Sequence, residues 1–563
     1  MRLTKAHRSI LAPLGLLGLL SAWGCSQAAP AVPVNAAGSP SAAGGSAGQV
    51  STGGTPSASG APASSGAGSG NTAGAGDVPA GGANNSAGAG GTSSGGTPGS
   101  AGSGVTAGSG GVVAAAGSAA CSPPTVSLSG ADAVVGKLIQ FNDNGGWCWY
   151  QDERAVVDTK ANKLVIGSVA SGGSRNGYIE AVVYDIAAGT KKLSTLGTGL
   201  ASNVDDHNAP AFLVRPDGKY FAMWSGHRTD CLTRRSVFDG TNWSSEMTYD
   251  WKANGCPWAG ADTNMVTYSN PWYIGSSIYA GVRSIGTDPA ILTSADNGQT
   301  LSFYGRLMSS GQVGYVAGYF KYFGNNTDRI DFVGTEAHPR DADTSLYHGY
   351  IKDGKVYDSS GAVKDAELKD ANATTSTSVD IKTYTPVFKT GATIGGVKLE
   401  HAWNHDIVRY ADGTIAILGQ ARVTGTGTDD PDKRMLYFRF DGTSWKATYL
   451  AKAGTKLYSS EQDYTGLGAL VPDDPTTIYI STPYDPSTDT MKSGAKREIW
   501  RGTTCDNGAT FKWTPVTANS TKDNIRPIVP KWDASHTALL WMKGSYTSAQ
   551  SYSMQIVGTI SGQ

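Results

Sequence analysis

Aromatic residues are absent from Ser26 to about Ala120, a stretch built almost wholly of Gly, Ser, Ala, Thr and Pro. Such a segment cannot bury enough apolar surface to offset its conformational entropy, so a disordered linker is expected over 26–120. As a Gly-rich coil it would span about 55 Å root-mean-square. Cysteine is scarce, with 6 in 563 residues, and no CxxC spacing occurs, which argues against a cysteine-rich metal site. An excess of one charge is lacking too: the formal net charge is −1, without the basic surplus of a nucleic-acid binder. Beyond the first residues no segment is long and apolar enough to cross a membrane, and long 3.6-residue periodicity is missing.

The N-terminus does carry a targeting pattern. Arg2, Lys5 and Arg8 precede an apolar run from Ile10 to Leu20, too short to span a bilayer, which reads as a signal peptide over 1–25. It ends in Ser21-Ala22-Trp23-Gly24-Cys25, similar to a lipobox although Trp23 is unusual there, with Cys25 as the residue to be lipidated. The expectation is an exported lipoprotein of the outer membrane or cell surface, otherwise a secreted protein, touching the membrane through lipid only. After Cys25 the cysteines are Cys121, Cys148, Cys231, Cys256 and Cys505, an odd number, so at least one stays unpaired. Cys231 and Cys256 lie close enough to staple a loop and are the expected disulfide.

From Cys121 to Gln563 the chain is rich in Tyr, Trp, Val, Ile and Thr, with frequent turn residues, the mark of many short antiparallel strands. A polar residue, a β-rich run, a turn and a second apolar run recur at Glu153–Ala170, His207–His227, Asn264–Arg283, Tyr319–Glu336, His405–Arg422, Tyr464–Tyr484 and Asn524–Tyr546. These lie about fifty to sixty residues apart, save for an insertion placed at Asp353 to Lys398, and predict an all-β, seven-bladed β-propeller over 121–563. The turn Ser294-Ala-Asp-Asn-Gly-Gln-Thr300 resembles the Asp box of sialidase-like blades. A β-sandwich with a second β domain is the structural alternative.

Inner strands of a propeller end around one mouth, so polar residues at equivalent positions should converge. Those positions hold Arg154, His207, Tyr268, Tyr319 or Tyr322, His405, Tyr464 and Arg526, which suit an anionic, hydroxyl-rich ligand. His207 and His227 sit at matching ends of one hairpin and are expected side by side. Tyr268 and Arg283 are related in the same way.

The segments Asn142–Asp158 (NDNGGWCWYQDERAVVD), DDHNAP, VTYSN, TEAHPRD, NIRPIVP and LLWMKGSY resemble the BNR-4 propeller proteins, which include the ulvan lyases of polysaccharide lyase families 24 and 25. The likeness runs from about Gly136 to Gly558. It implies β-elimination on a uronate-containing, ulvan-like polysaccharide, with His207 and Tyr268 sharing the proton transfers and Arg283 neutralising the carboxylate. His227 and Tyr322 would position substrate, with Arg154 and Arg526 as further binding residues. No cofactor is needed for that chemistry, although the resemblance also implies a structural zinc with His338 as candidate ligand, joined by His348, His401 or His405. A monomer acting on an anionic polysaccharide is expected. Two other classes stay open: a sialidase-like glycoside hydrolase, in which Arg154, Arg283 and Arg526 imitate an arginine triad, and a surface glycan-binding propeller without catalysis.

Overall fold

The computed structural model describes residues 126–200, 202–258, 266–308, 318–371 and 379–562. Cys25, the signal segment and the linker lie outside the described residues.

Seven antiparallel meanders of four or more strands follow one another in the chain, giving an all-β, seven-bladed propeller. Each recurring segment found in the sequence supplies the first two strands of one blade, as in Ala155–Asp158 with Lys163–Val169, or Ala211–Val214 with Tyr220–Ser225. Second strands such as Tyr220–Ser225 are buried at every position, because both faces of each blade pack against neighbours. The insertion expected at Asp353 to Lys398 is present but begins later than its first residue. Lys355–Asp358 is the proper fourth strand of blade 4, joined to Leu346–Lys352 through Asp353 and Gly354, whose φ angles of 52° and 70° form a two-residue hairpin turn. The true elaboration follows, with Val363–Asp365 and Thr385–Phe388 added to that sheet.

The ring is closed by strands from opposite ends of the domain. Ile139–Asn142 is the outermost strand of blade 7 and pairs with Ser551–Ser561. Just ahead of it Ala133–Val134 pairs with Thr517–Ala518, while the Asp132 carboxylate accepts from the Thr521 backbone and hydroxyl and pairs with Lys543.

The Asp-box turn is confirmed in blade 3. Asp296 accepts from the Ser294 hydroxyl at 2.7 Å, the Thr300 amide at 2.9 Å and the Thr300 hydroxyl at 2.6 Å. Thr504–Thr510 in blade 6 makes the same bonds around Asp506, a second box hidden from the sequence pattern because Thr stands where Ser was sought. Gly298 and Gly508 have φ of +89° and +85°, and a Cβ there would lie 2.3 Å from the Phe221 ring and 2.2 Å from the Tyr437 ring. Only glycine allows both the turn and this close seating on the preceding blade.

Apolar layers between blades form the core, and Trp147, Trp224, Trp251, Trp403 and Trp541 are fully buried. Each such ring contributes roughly 4–6 kcal/mol of transfer free energy as an upper bound. The central channel is filled by a separate cluster of Cys148, Trp149, Tyr150, Tyr268, Tyr319, Trp403, Tyr464 and Leu467. Its spine is the stretch from Gly145 to Arg154, which enters the channel before the first inner strand. That backbone is held from several blades. Arg526 donates to the Trp147 carbonyl, the Cys148 amide donates to the Asp206 carbonyl at 3.0 Å, and Lys321 donates to the Trp149 carbonyl at 2.5 Å. Tyr150 and Trp149 reach Asn404, and Gln151 donates to the His207 carbonyl at 2.5 Å. Lys321 is wholly buried and pairs with Asp152.

Replacing Lys321 by Met is therefore expected to leave Asp152 buried beside a carbonyl that has lost its donor. The expected loss is about 3–5 kcal/mol, read as a lowered denaturant midpoint.

Candidate active site

Asp205 caps the short 3-10 turn Asp206–Asn208 that precedes the inner strand of blade 2, accepting from the His207 amide at 3.0 Å. The same carboxylate serves both histidine side chains, 2.5 Å from His207 Nδ1 through one oxygen and 2.9 Å from His227 Nδ1 through the other. Gln550 donates to it as well, at 2.6 Å. The rings stack with centroids 4.4 Å apart, 17° from parallel, so the side-by-side expectation holds. Asp206 lies 2.9 Å from His207 Nδ1, and its other oxygen accepts from Arg526 and Tyr546, each at 2.5 Å. His207 Nε2 meets the Tyr464 hydroxyl at 3.2 Å.

Tyr268 comes into this group through a β-bulge. The register of its strand slips between Thr267 and Ser269, and Tyr268 takes a φ of 59°. A bulge with left-handed backbone re-aims one side chain, here into the channel beside His207 at 5.8 Å between ring centroids. Arg283 lies opposite Thr267 in the paired strand, with its guanidinium carbon 4.7 Å from the Tyr268 ring centre and 5.1 Å from that of Tyr319.

The electrostatics separate the two histidines. Burial alone would lower the His207 pKa, but Cys148, Asp205, Tyr268 and Asp206 outweigh it and hold the ring well above the ordinary imidazole value. His227 is pushed down to about 4, first by burial and then by the positive His207 and Arg283, against the pull of Asp205. Burial raises the Tyr268 hydroxyl well above its usual range, although His207 and Arg283 pull it back. At neutral pH the group thus holds an imidazolium, a neutral imidazole, an un-ionised phenol and a guanidinium.

His207, His227, Tyr268 and Arg283 are brought together, and Tyr319 and Tyr464 are the other mouth residues that join them. Tyr322 borders the group, closing a cavity of about 10 Å³ with Tyr268, Arg283 and Tyr319, its ring pressed onto Gly281. Arg526 is wholly buried and bound to Asp206, the Trp147 carbonyl and Tyr546, so it braces the plug and the Asp206 side chain. Arg154 pairs with Asp152 and donates to the Cys148 carbonyl, and it lines another pocket with Asp406 and Leu470. These partners leave Arg154 and Arg526 unsuited to an arginine triad with Arg283.

Of the histidines expected at a zinc, His338, His348 and His401 have ring nitrogens engaged by protein groups, whereas His405 Nε2 is buried without a hydrogen-bond partner. His338 Nδ1 accepts from the Arg340 amide at 3.2 Å, which places the proton on Nε2, 3.1 Å from the Tyr319 hydroxyl, and no lone pair is left for a metal. His348 is held between Ser359 and Asp331, and His401 Nδ1 donates to the Pro339 carbonyl at 2.7 Å. Among the described residues, the trios with ligand atoms within 4.8 Å of one another are Cys148–Asp206–His207 and Asp205–His207–His227, where the carboxylates already bind ring nitrogens. Cys148 is a free, buried thiol, whereas Cys231 and Cys256 form the expected disulfide, with Cα atoms 5.9 Å apart.

Sequence reasoning missed the plug and the sharing of Asp205. The available signal was Trp147-Cys148-Trp149-Tyr150, four large or reactive residues in a row after two glycines, without strand alternation.

No protein-family model matches the chain, and no curated protein matches it. Among solved structures it is similar to a PL25 ulvan lyase, with a TM-score of 0.54 and 14% identity over 75% of this chain and 95% of that one. The same kind of lyase bound to -[GlcA(1-4)Rha3S]- gives a TM-score of 0.53 at 14% identity and the same coverage. An α-L-arabinofuranosidase from Fusarium graminearum covers 75% of this chain and 98% of its own at 11% identity, with a TM-score of 0.36. At such identities the likeness to the lyase is one of fold.

The charge division is directly measurable. In nitrogen-detected NMR at pH 7, His207 is expected with both ring nitrogens protonated and His227 with Nδ1 alone. Because the His227 pKa is depressed in the folded state, its share of stability is full above the unfolded value of 6.5 and is lost as pH falls through about 4. Titration of His227 near 6.5 would contradict the shared-carboxylate account.

Proposed function

We propose that the domain is a polysaccharide lyase that cleaves a uronate-containing, ulvan-like polymer by β-elimination. The observation that carries this reading is the meeting of two histidines on one buried carboxylate, with a tyrosine beside them and an arginine beside the tyrosine. The fold neighbours support a carbohydrate-active propeller, and the bound lyase relative holds a glucuronate-containing ligand.

The chemistry demands three things of a site. The C5 proton of a uronate becomes removable when its carboxylate charge is neutralised, a base must accept that proton, and the C4 oxygen must be protonated as it leaves. Arg283 supplies a planar, fixed positive charge for the carboxylate, reinforced by the imidazolium of His207. Tyr268 and the histidine pair His207–His227, joined through Asp205, carry the proton transfers. Tyr268, un-ionised beside two cations, suits donation to the departing oxygen, because the tyrosinate left behind lies beside positive charge. Tyr322, which lines a small cavity with Tyr268 and Arg283, is assigned to positioning substrate. The elimination needs no metal.

We also propose that the chain is exported and held by lipid at Cys25, with 26–120 as its linker. That arrangement suits a monomeric surface enzyme whose substrate is too large to import.

Incubation with ulvan and other uronate polymers is expected to produce the ultraviolet absorbance of a C4–C5 unsaturated uronate. Arg283→Ala is expected to cut kcat/KM by about 10²–10³-fold. Saturated products from every polymer tested would replace elimination with hydrolysis, and binding without turnover would leave a glycan-binding propeller.

A further inference from the structure

We propose that His227, through its Nε2 lone pair, is the base that removes the C5 proton, with His207 as its stacked partner on the same carboxylate. The inference rests on the elimination reading above and deepens it. Three geometric facts carry it. His227 Nδ1 is fixed as a donor by Asp205 at 2.9 Å, which leaves the lone pair on Nε2. That Nε2 is buried without a hydrogen-bond partner, on a residue only 7% exposed. A buried polar atom left unmatched costs free energy, so it marks a place where a ligand group belongs. His207 is differently occupied: Asp205 and Asp206 flank its Nδ1, and Tyr464 meets its Nε2. One carboxylate bridging the Nδ1 atoms of two stacked imidazoles 4.4 Å apart favours a single positive charge on the pair, and the second carboxylate decides which ring holds it.

The charges facing each ring agree with this division. His227 faces Asp205, the cationic His207 and Arg283, and is neutral; His207 has the carboxylates of Asp205 and Asp206 on its Nδ1, with the Glu461 carboxyl, the Cys148 thiol and the Tyr268 phenol around it, and is charged. A protonated ring accepts no proton, so His227 is the member of the four in the form a base requires. Binding of the uronate brings a negative charge beside it, which raises its basicity from the low value of the empty site.

The step balances without a co-reactant. The Nε2 lone pair bonds to the C5 hydrogen as the C5–H bond breaks. The released pair, held first on the carboxylate, forms the C4–C5 double bond as the C4–O bond breaks, and the leaving oxygen takes the Tyr268 hydroxyl proton. His227 then loses its proton to solvent and Tyr268 regains one.

Two experiments test the assignment on the full-length protein. The first is the wild-type pH profile of kcat/KM on a uronate polymer that it cleaves. With His227 as base the profile stays flat from neutrality down to an acid limb well below 6; with His207 as base it climbs with pH above neutrality, since that ring must first lose its proton. The second is His227→Asn, whose amide keeps a donor toward Asp205 but has no group at the Nε2 position. Its kcat is expected to fall by about 10²–10⁴-fold with binding of uronate oligosaccharides and the melting curve little changed. An alkaline-rising wild-type profile overturns the proposal, as does an Asn variant that keeps more than a tenth of kcat. A wild-type protein yielding no unsaturated product from any uronate polymer overturns instead the elimination reading on which it rests.

Discussion

The backbone of the Gly145–Arg154 stretch, buried in the central channel, is the constraint on which the rest depends. A propeller channel is ordinarily available to water, which can satisfy polar groups lining it. Here a peptide chain packed among Trp149, Tyr150, Trp403 and Tyr464 has displaced it, so each buried carbonyl must find a protein donor. Long cationic side chains from distant blades meet that demand, Arg526 for Trp147 and Lys321 for Trp149. Each cation in turn needs a buried counter-charge, which explains Asp206 and Asp152. The ring of blades and its filling are thus fixed together.

The acidic pair Asp205 and Asp206 passes this order on to the candidate site. Asp206 faces inward to Arg526 and Tyr546, whereas Asp205 faces the two histidines. Because the carboxylates are neighbours in sequence and are held by one short turn, the position of His207 is tied to the channel filling. The site is rigid for the same reason that the fold is closed.

Much of this was legible in the sequence. Seven recurring segments gave the blade count because each is a whole hairpin, and period-two strands separated by Asp/Asn/Gly turns keep their pattern without knowledge of the partner. The histidine pair was legible since His207 and His227 bracket one such hairpin. The plug contacts of Arg526 and Arg154 were not legible for a common reason: their inner-strand positions are equivalent to that of His207, but position along a strand does not say which neighbours a side chain meets. Tyr319 against Tyr322 was a matter of strand face, settled by which ring lies in the channel. The bulge at Tyr268 had no signal at all, since nothing about Thr267-Tyr268-Ser269 announces a left-handed residue.

Closure by Ile139–Asn142 has a mechanical consequence. Any pull arriving along the chain from its N-terminal side is delivered to blade 7, where loss of that strand would open the ring. The load does not reach it first. Asp132 with Thr521 and Lys543, and the short pairing of Ala133–Val134 with Thr517–Ala518, stand ahead of the latch and are attached to the blade 6–7 region of the same domain. They form a strain relief: a small, half-buried clasp that can yield and re-form while the closing strand, and the channel behind it, stay unloaded.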